Sequence, residues 1–332
     1  MPRRISPVVI PTALLGLVAI GWSVFWWVST GRLETAMDRW MAREAEAGRV
    51  YACAERDIGG FPFRIEVRCA SPTAEVPVEG GTLDIAARSF VAVAQIYRPT
   101  HVIGQFEGPL TIERPGGVGV TADWSAAEAS LVGTTEALER VSLVARDAVL
   151  EGEGGRLGAT EILEVHARRA PGADAGAYDA VARLNGVRMP FTDALVGSAV
   201  PADAELQLSV SGLDRVSGDS EADRMRAFAD AGGRVTVAMA RLARGSLLAV
   251  AAGDVGIDPE GRPEGRFDLT MRGHEEIAGS LPGLGGAIAG ALNVIGRRAT
   301  LDGAPARSYE VVMEDGVLRV TGLAVARVPR LF

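Results

Sequence analysis

The residues with the most obvious covalent chemistry are the chain's two cysteines, Cys53 and Cys69. Their spacing is not C-x-x-C, and the three histidines, His101, His166 and His274, are scattered far from them, so neither a redox pair nor a zinc site is assembled. A structural disulfide is the natural reading in an oxidising compartment; free thiols and redox exchange are the alternatives. The intervening segment supports the bridge. Phe61, Phe63, Ile65, Val67 and Cys69 fall on one face of an extended chain, and Arg64, Glu66 and Arg68 on the other. Gly59-Gly60 and Pro62 punctuate its start, so Val50 to Glu55 can return beside it as a hairpin. Closing that loop stabilises the fold by about 3 kcal/mol on chain-entropy grounds.

Other chemistry is sparse. All 34 basic residues are arginine, which removes a Walker lysine, a Schiff-base lysine and a kinase lysine together. The run Gly117-Val118-Gly119-Val120-Thr121-Ala122 has dinucleotide-fingerprint spacing, but its alternation leads into a strand where the pyrophosphate needs a helix N-terminus. Glu151/Glu153 and Glu275/Glu276 lie near glycine or turns, as solvated carboxylates do. The expectation is therefore a protein without catalytic residues, metal or cofactor; a hydrolase or transferase lacking any recognisable motif ranks third among the readings.

The element that must position everything else is at the N-terminus. No charge occurs from Ile5 to Thr30, and residues 7–28 are apolar enough and long enough to cross a bilayer. A cleaved secretory signal is the competitor, but its apolar core is shorter. Arg3 and Arg4 precede the run, and Trp22, Trp26 and Trp27 mark its exit, where indoles favour the headgroup region. This predicts a single-pass bacterial inner-membrane protein with residues 1–6 cytoplasmic and the body periplasmic. The net charge of −8 is spread along that body, which disfavours nucleic acid; no nucleotide partner is expected either.

The fold class expected is mainly β: the transmembrane helix, then a long curved antiparallel meander sheet with a few covering helices around an apolar groove. Residues 31–48 read as an amphipathic helix with Leu33, Met37, Trp40 and Met41 on its packing face. Period-two alternation then fills an N-terminal β half, 49–169, and a C-terminal β half, 178–332, separated by the Ala/Gly/Pro-rich stretch at 170–177. Helices are expected near 220–231, capped by Ser220, and near 280–297, where Leu284, Ile288 and Leu292 keep helical spacing.

Trp40 through Pro72, with Gly48-Arg49, Cys53, the run Arg56 to Arg64 and Cys69-Ala70-Ser71-Pro72, resembles the membrane-anchored bacterial proteins of domain-of-unknown-function family 2125. Asp315 to Leu323 followed by Pro329-Arg330-Leu331 carries the resemblance at the C-terminus. That family implies no catalytic residues. The chain is more distantly similar to envelope proteins of the AsmA type, which resemble lipid-conducting β grooves, an analogy of fold only. The expected function is thus a non-enzymatic anchored β groove for membrane lipid, with Phe61, Phe63, Ile65, Val67, Leu284, Ile288 and Leu292 as lipid-facing residues. The second reading is an assembly partner of other envelope proteins whose core is filled by its own helices.

Overall fold

The computed structural model describes all residues except 1–8, 79, 115, 117–118, 135–136, 173–175, 197–198, 219 and 275–284. Arg3, Arg4 and Leu284 thus lie outside the described residues. The described residues form seventeen antiparallel strands and four α-helices, so the chain is mainly β, as the alternation predicts. They divide into two compact units, Met1–Glu136 and Ala137–Phe332. The division falls earlier than the stretch at 170–177. At that stretch the Ala170 amide donates to the Ala177 carbonyl at 2.9 Å, between the paired strand ends Arg169 and Tyr178. Alanine, glycine and proline serve a hairpin turn as readily as a linker.

In the first unit, helix α1 runs unbroken from Val9–Glu46, so the apolar span and the amphipathic segment are one helix about 57 Å long. Ser23, Ser29, Thr30 and Thr35 would each tempt the backbone out of helix, but their hydroxyls bond to carbonyls one turn back. Everything from Ile10 to Gly21 is exposed, and the helix is long and apolar enough to cross a membrane. The strands β1 (Val50–Gly59), β2 (Arg64–Val78), β3 (Gly81–Gln95) and β4 (Arg98–Glu113) form an antiparallel meander. Beside β4 lie β5 (Val120–Asp123) and β6 (Ala126–Gly133). The disulfide Cys53–Cys69 ties β1 to β2, and Cys69 is buried. Glu66, expected on the solvent face, is instead buried between Arg64, 3.0 Å away, and Arg68, whose guanidiniums close over its carboxylate from both sides.

The second unit continues as a meander of β7 (Leu138–Gly152), β8 (Gly155–Arg169), β9 (Tyr178–Val187), β10 (Ala202–Ser211), β11 (Arg234–Arg244), β12 (Leu247–Ile257) and β13 (Pro263–Arg272). Strand β13 pairs with β15 (Ala304–Glu314), which also pairs with β14 (Arg297–Leu301) and β16 (Val317–Val320); β17 (Leu323–Arg327) is the last strand. Three helices interrupt the meander: α2 (Pro190–Val196), α3 (Glu221–Asp230) and α4 (Gly285–Ile295). Ser220 caps α3 as expected, its hydroxyl accepting from the Asp223 amide. The same hydroxyl donates to the Asp223 carboxylate at 2.7 Å, and this second bond, reinforced by Arg226, holds the carboxyl below its ordinary value.

The C-terminal segment returns to the β12–β13 turn, where the Leu331 amide donates to the Gly261 carbonyl at 2.8 Å. Asp258 organises this turn by accepting from the Arg262 amide at 2.8 Å and from Arg262 Nε at 2.7 Å. Burial pushes the Asp258 carboxyl up, but these bonds and the guanidinium charge outweigh it, leaving the group below the usual carboxylate range. A depressed carboxylate adds stability that is complete above its unfolded-state value and lost as pH falls through the folded one. Asp258→Asn should therefore cost about 2 kcal/mol at neutral pH. Thermal unfolding of both proteins should show the gap closing as pH drops below the normal aspartate range; a constant gap would remove Asp258 from the account of acid sensitivity.

Candidate functional site

Three features of the described residues could handle an apolar ligand. The first is the turn between β1 and β2. The Trp22 indole N–H donates to the Pro62 carbonyl at 2.8 Å, and that of Trp26 to the Arg64 carbonyl at 2.9 Å. The Trp22 ring lies 6.1 Å from Phe63, and that of Trp26 meets Phe61 edge-on at 5.5 Å. Both indoles, expected only as headgroup anchors, thus also hold the turn against α1. Trp27 is exposed. Phe61 and Phe63 were expected on one strand face with Ile65 and Val67. Strand β2 begins at Arg64, however, so the two phenylalanines belong to the turn and stay exposed, whereas Ile65 and Val67 face α1.

The second feature is a cleft of about 540 Å³ between α1 and the sheet. Phe25, Ser29, Arg32, Leu33 and Met37 form its helical wall, and Ile65, Val67, Phe90, Ala92, Ala94, Ile96, Pro99 and Val102 its sheet wall. Alternation in β3 and the helical stripe of α1 supply these side chains separately. Ala92 pairs with Val67 and Gly104, and Ala94 with Ile65 and Val102, so small side chains lie among the larger ones of the sheet wall. From Phe25 to Met37 the helical wall extends about 18 Å. Among the described residues, Arg32 is the one charged side chain lining the cleft. On the other flank of α1, Arg56 of β1 binds Asp38 at 2.7 Å, and Trp40 stacks on Tyr51, which holds the helix against the sheet.

The third feature is an open apolar face in the second unit. Across β7 to β15, directly opposed residues form the row Leu143, Val165, Ala182, Leu206, Ala240, Ala251, Leu269 and Tyr309. A parallel row runs Ala145, Leu163, Leu184, Ala204, Leu242, Ala249 and Met271. The opposite face carries the ion pairs: Arg183 bridges Glu164 and Glu205, Arg168 pairs with Asp179, and Arg266 binds Glu310 at 2.9 Å. The Gln207 amide and then Arg183 hold Glu205 below its ordinary value. An antiparallel sheet with one apolar face normally buries it. Here the interior of the first row is only part-covered, and among the described residues eight apolar residues are buried, of which Tyr309 and Cys69 alone are fully so. Helix α4 covers one end of the row, where Tyr309 donates to the Leu292 carbonyl at 3.1 Å. Leu292 is part-exposed, while the Ile288 side chain lies outside the described residues.

The class these features define is a β-sheet protein carrying an N-terminal helix long and apolar enough to cross a membrane. The chain belongs to the bacterial family described as "Uncharacterized protein conserved in bacteria (DUF2125)", whose model matches residues 26–329. No curated protein and no solved structure matches it. The match takes in the exit of α1, the disulfide hairpin and the Asp315-Gly316 turn, the segments on which the resemblance rests.

Proposed function

We propose that this is a non-enzymatic, single-pass protein of the bacterial inner membrane whose periplasmic β body binds or passes membrane lipid. The observation that carries the reading is the cleft, because its wall begins at Phe25, inside the uncharged span, and ends at Met37, beyond it. An acyl chain could move from bilayer to protein along that wall without crossing water. Arg32, the first charge after the span, stands in the cleft wall, where it would meet the phosphate of a lipid drawn out of the bilayer. The part-covered apolar rows supply further surface of the same kind. The tryptophan-rich exit and a cysteine pair suited to oxidising conditions support the outward orientation.

Photo-crosslinking tests the reading directly. The full chain in membranes containing a phospholipid with a diazirine near its acyl terminus should, after illumination, carry lipid on peptides spanning Ile65–Val67 and Phe90–Ile96. Labelling confined to Ile10–Val24 would mean contact with surrounding bilayer alone and would defeat the proposal.

The second reading, an assembly partner of other envelope proteins with a self-filled core, draws on the packing of α4 against Tyr309. It requires the rest of the apolar row to be filled by the protein itself.

A further inference from the structure

The turn that Trp22 and Trp26 grip is itself unusual as a surface. Phe61 is 56% exposed and Phe63 64%, and beside them the β3–β4 turn presents Tyr97 at 63%. The two turns form one tip, since the Ile96 amide donates to the Phe63 carbonyl at 3.0 Å and Ile96 is buried beneath. Three large exposed rings in one place are a poor surface for water. Their basic neighbours are Arg64 and Arg98, both exposed. The acids near this end are already engaged: Glu66 lies between Arg64 and Arg68, and Asp57 is 3.2 Å from Arg68.

The depth of the tip along α1 is fixed by its hydrogen bonds. Pro62 is tied to Trp22, which lies ten residues before the first charge, Arg32, or about 15 Å along the helix. Nothing charged on α1 lies level with the tip. If α1 spans a bilayer, the rings therefore sit no higher than the headgroup layer, the depth that tryptophan, tyrosine and phenylalanine side chains prefer.

We infer that the Phe61–Phe63 turn and Tyr97 form a second membrane contact, inserted into the leaflet from which α1 emerges, with Arg64 and Arg98 facing lipid phosphates. The partner is the bilayer interface, continuous with the exposed apolar surface of α1. The inference rests on the reading of α1 as a membrane span and is separate from lipid uptake by the cleft. Its consequence is that the sheet wall of the cleft starts inside lipid rather than above it, because Ile65 and Ile96 follow directly on the inserted residues.

The test uses the full chain in phospholipid nanodiscs, with an environment-sensitive NBD fluorophore on single introduced cysteines and the native disulfide left oxidised. Phe63→Cys and Tyr97→Cys report the tip, Leu15→Cys the span, and Val78→Cys the far end of β2, about 46 Å along the strand from Arg64. Lipids bearing a nitroxide high on the acyl chain should quench the label at positions 63 and 97 at least about twofold more than at 78, as for an interfacial segment. Two tip positions guard against one substitution failing to fold. If the label at 15 is quenched by deep nitroxides while those at 63 and 97 behave like 78, the span stands and the tip contact is wrong. If none is quenched, the span itself fails and takes the inference with it.

Discussion

Alanine at both Cys53 and Cys69 is expected to lower the stability of the first unit by about 3 kcal/mol, a large part of a domain's usual margin. The bond closes the loop containing the β1–β2 turn, so its loss frees the unfolded chain to explore that loop. Cys69 is also buried, and losing its sulfur leaves a small void against the sheet. Denaturant unfolding of the full chain in detergent, followed by tryptophan fluorescence, reads the change. A reducing agent should shift the wild-type midpoint by a similar amount and leave the double variant where it is. Equal midpoints for wild type and variant would show that the bridge contributes no stability. The functional consequence concerns the turn itself, because a looser hairpin presents Pro62 and Arg64 less accurately to Trp22 and Trp26.

What could be read from residues alone follows from where the information is local. Period two in Phe90 to Tyr97 and in Leu206 to Val210 marks strands because alternation is a property of one segment, although β3 stops at Gln95 and Tyr97 falls in the turn. Ser220 before an amphipathic stretch marks a helix start, and Asp315-Gly316 a turn, for the same reason. Cys53 and Cys69 flank a single hairpin, so their pairing needs no distant information. The cleft was not legible. Leu33 and Met37 signal a packing face and Ala92 and Ala94 signal a strand, but nothing in either segment says that the one lies over the other. The same holds for Trp22 and Trp26: an indole at a membrane exit looks identical whether its N–H meets a headgroup or the Pro62 carbonyl. Glu66 misleads because alternation assigns it to solvent, whereas Arg64 and Arg68, spaced by two on the same face, are close enough to enclose it.

The apolar row of the second unit separates the two functional readings through one double substitution, Leu206→Glu with Ala240→Glu. These residues are direct cross-strand partners at the middle of the row, and both are part-exposed. If the row is a lipid-facing surface, each carboxylate can reach water in the lipid-free protein, and the loss should stay near 1–2 kcal/mol per site, within the ordinary range for substitutions. If the row is a filled core, two adjacent carboxylates would be forced into an apolar interior without partners. They would cost several kcal/mol each and repel one another, and the unit would unfold. The lipid reading therefore predicts a variant with unchanged far-ultraviolet circular dichroism and a cooperative melt. In that variant diazirine-lipid labelling of peptides from β9 to β12 should fall about tenfold, since a charge of this kind removes more than 1.4 kcal/mol from an apolar contact. Collapse of the melt would instead mean that the chain fills its own groove, and would turn the argument toward its outer surface and a protein partner. Labelling that persists in a folded variant would show that lipid never used this face, leaving the cleft beside α1 as the only described route for an acyl chain.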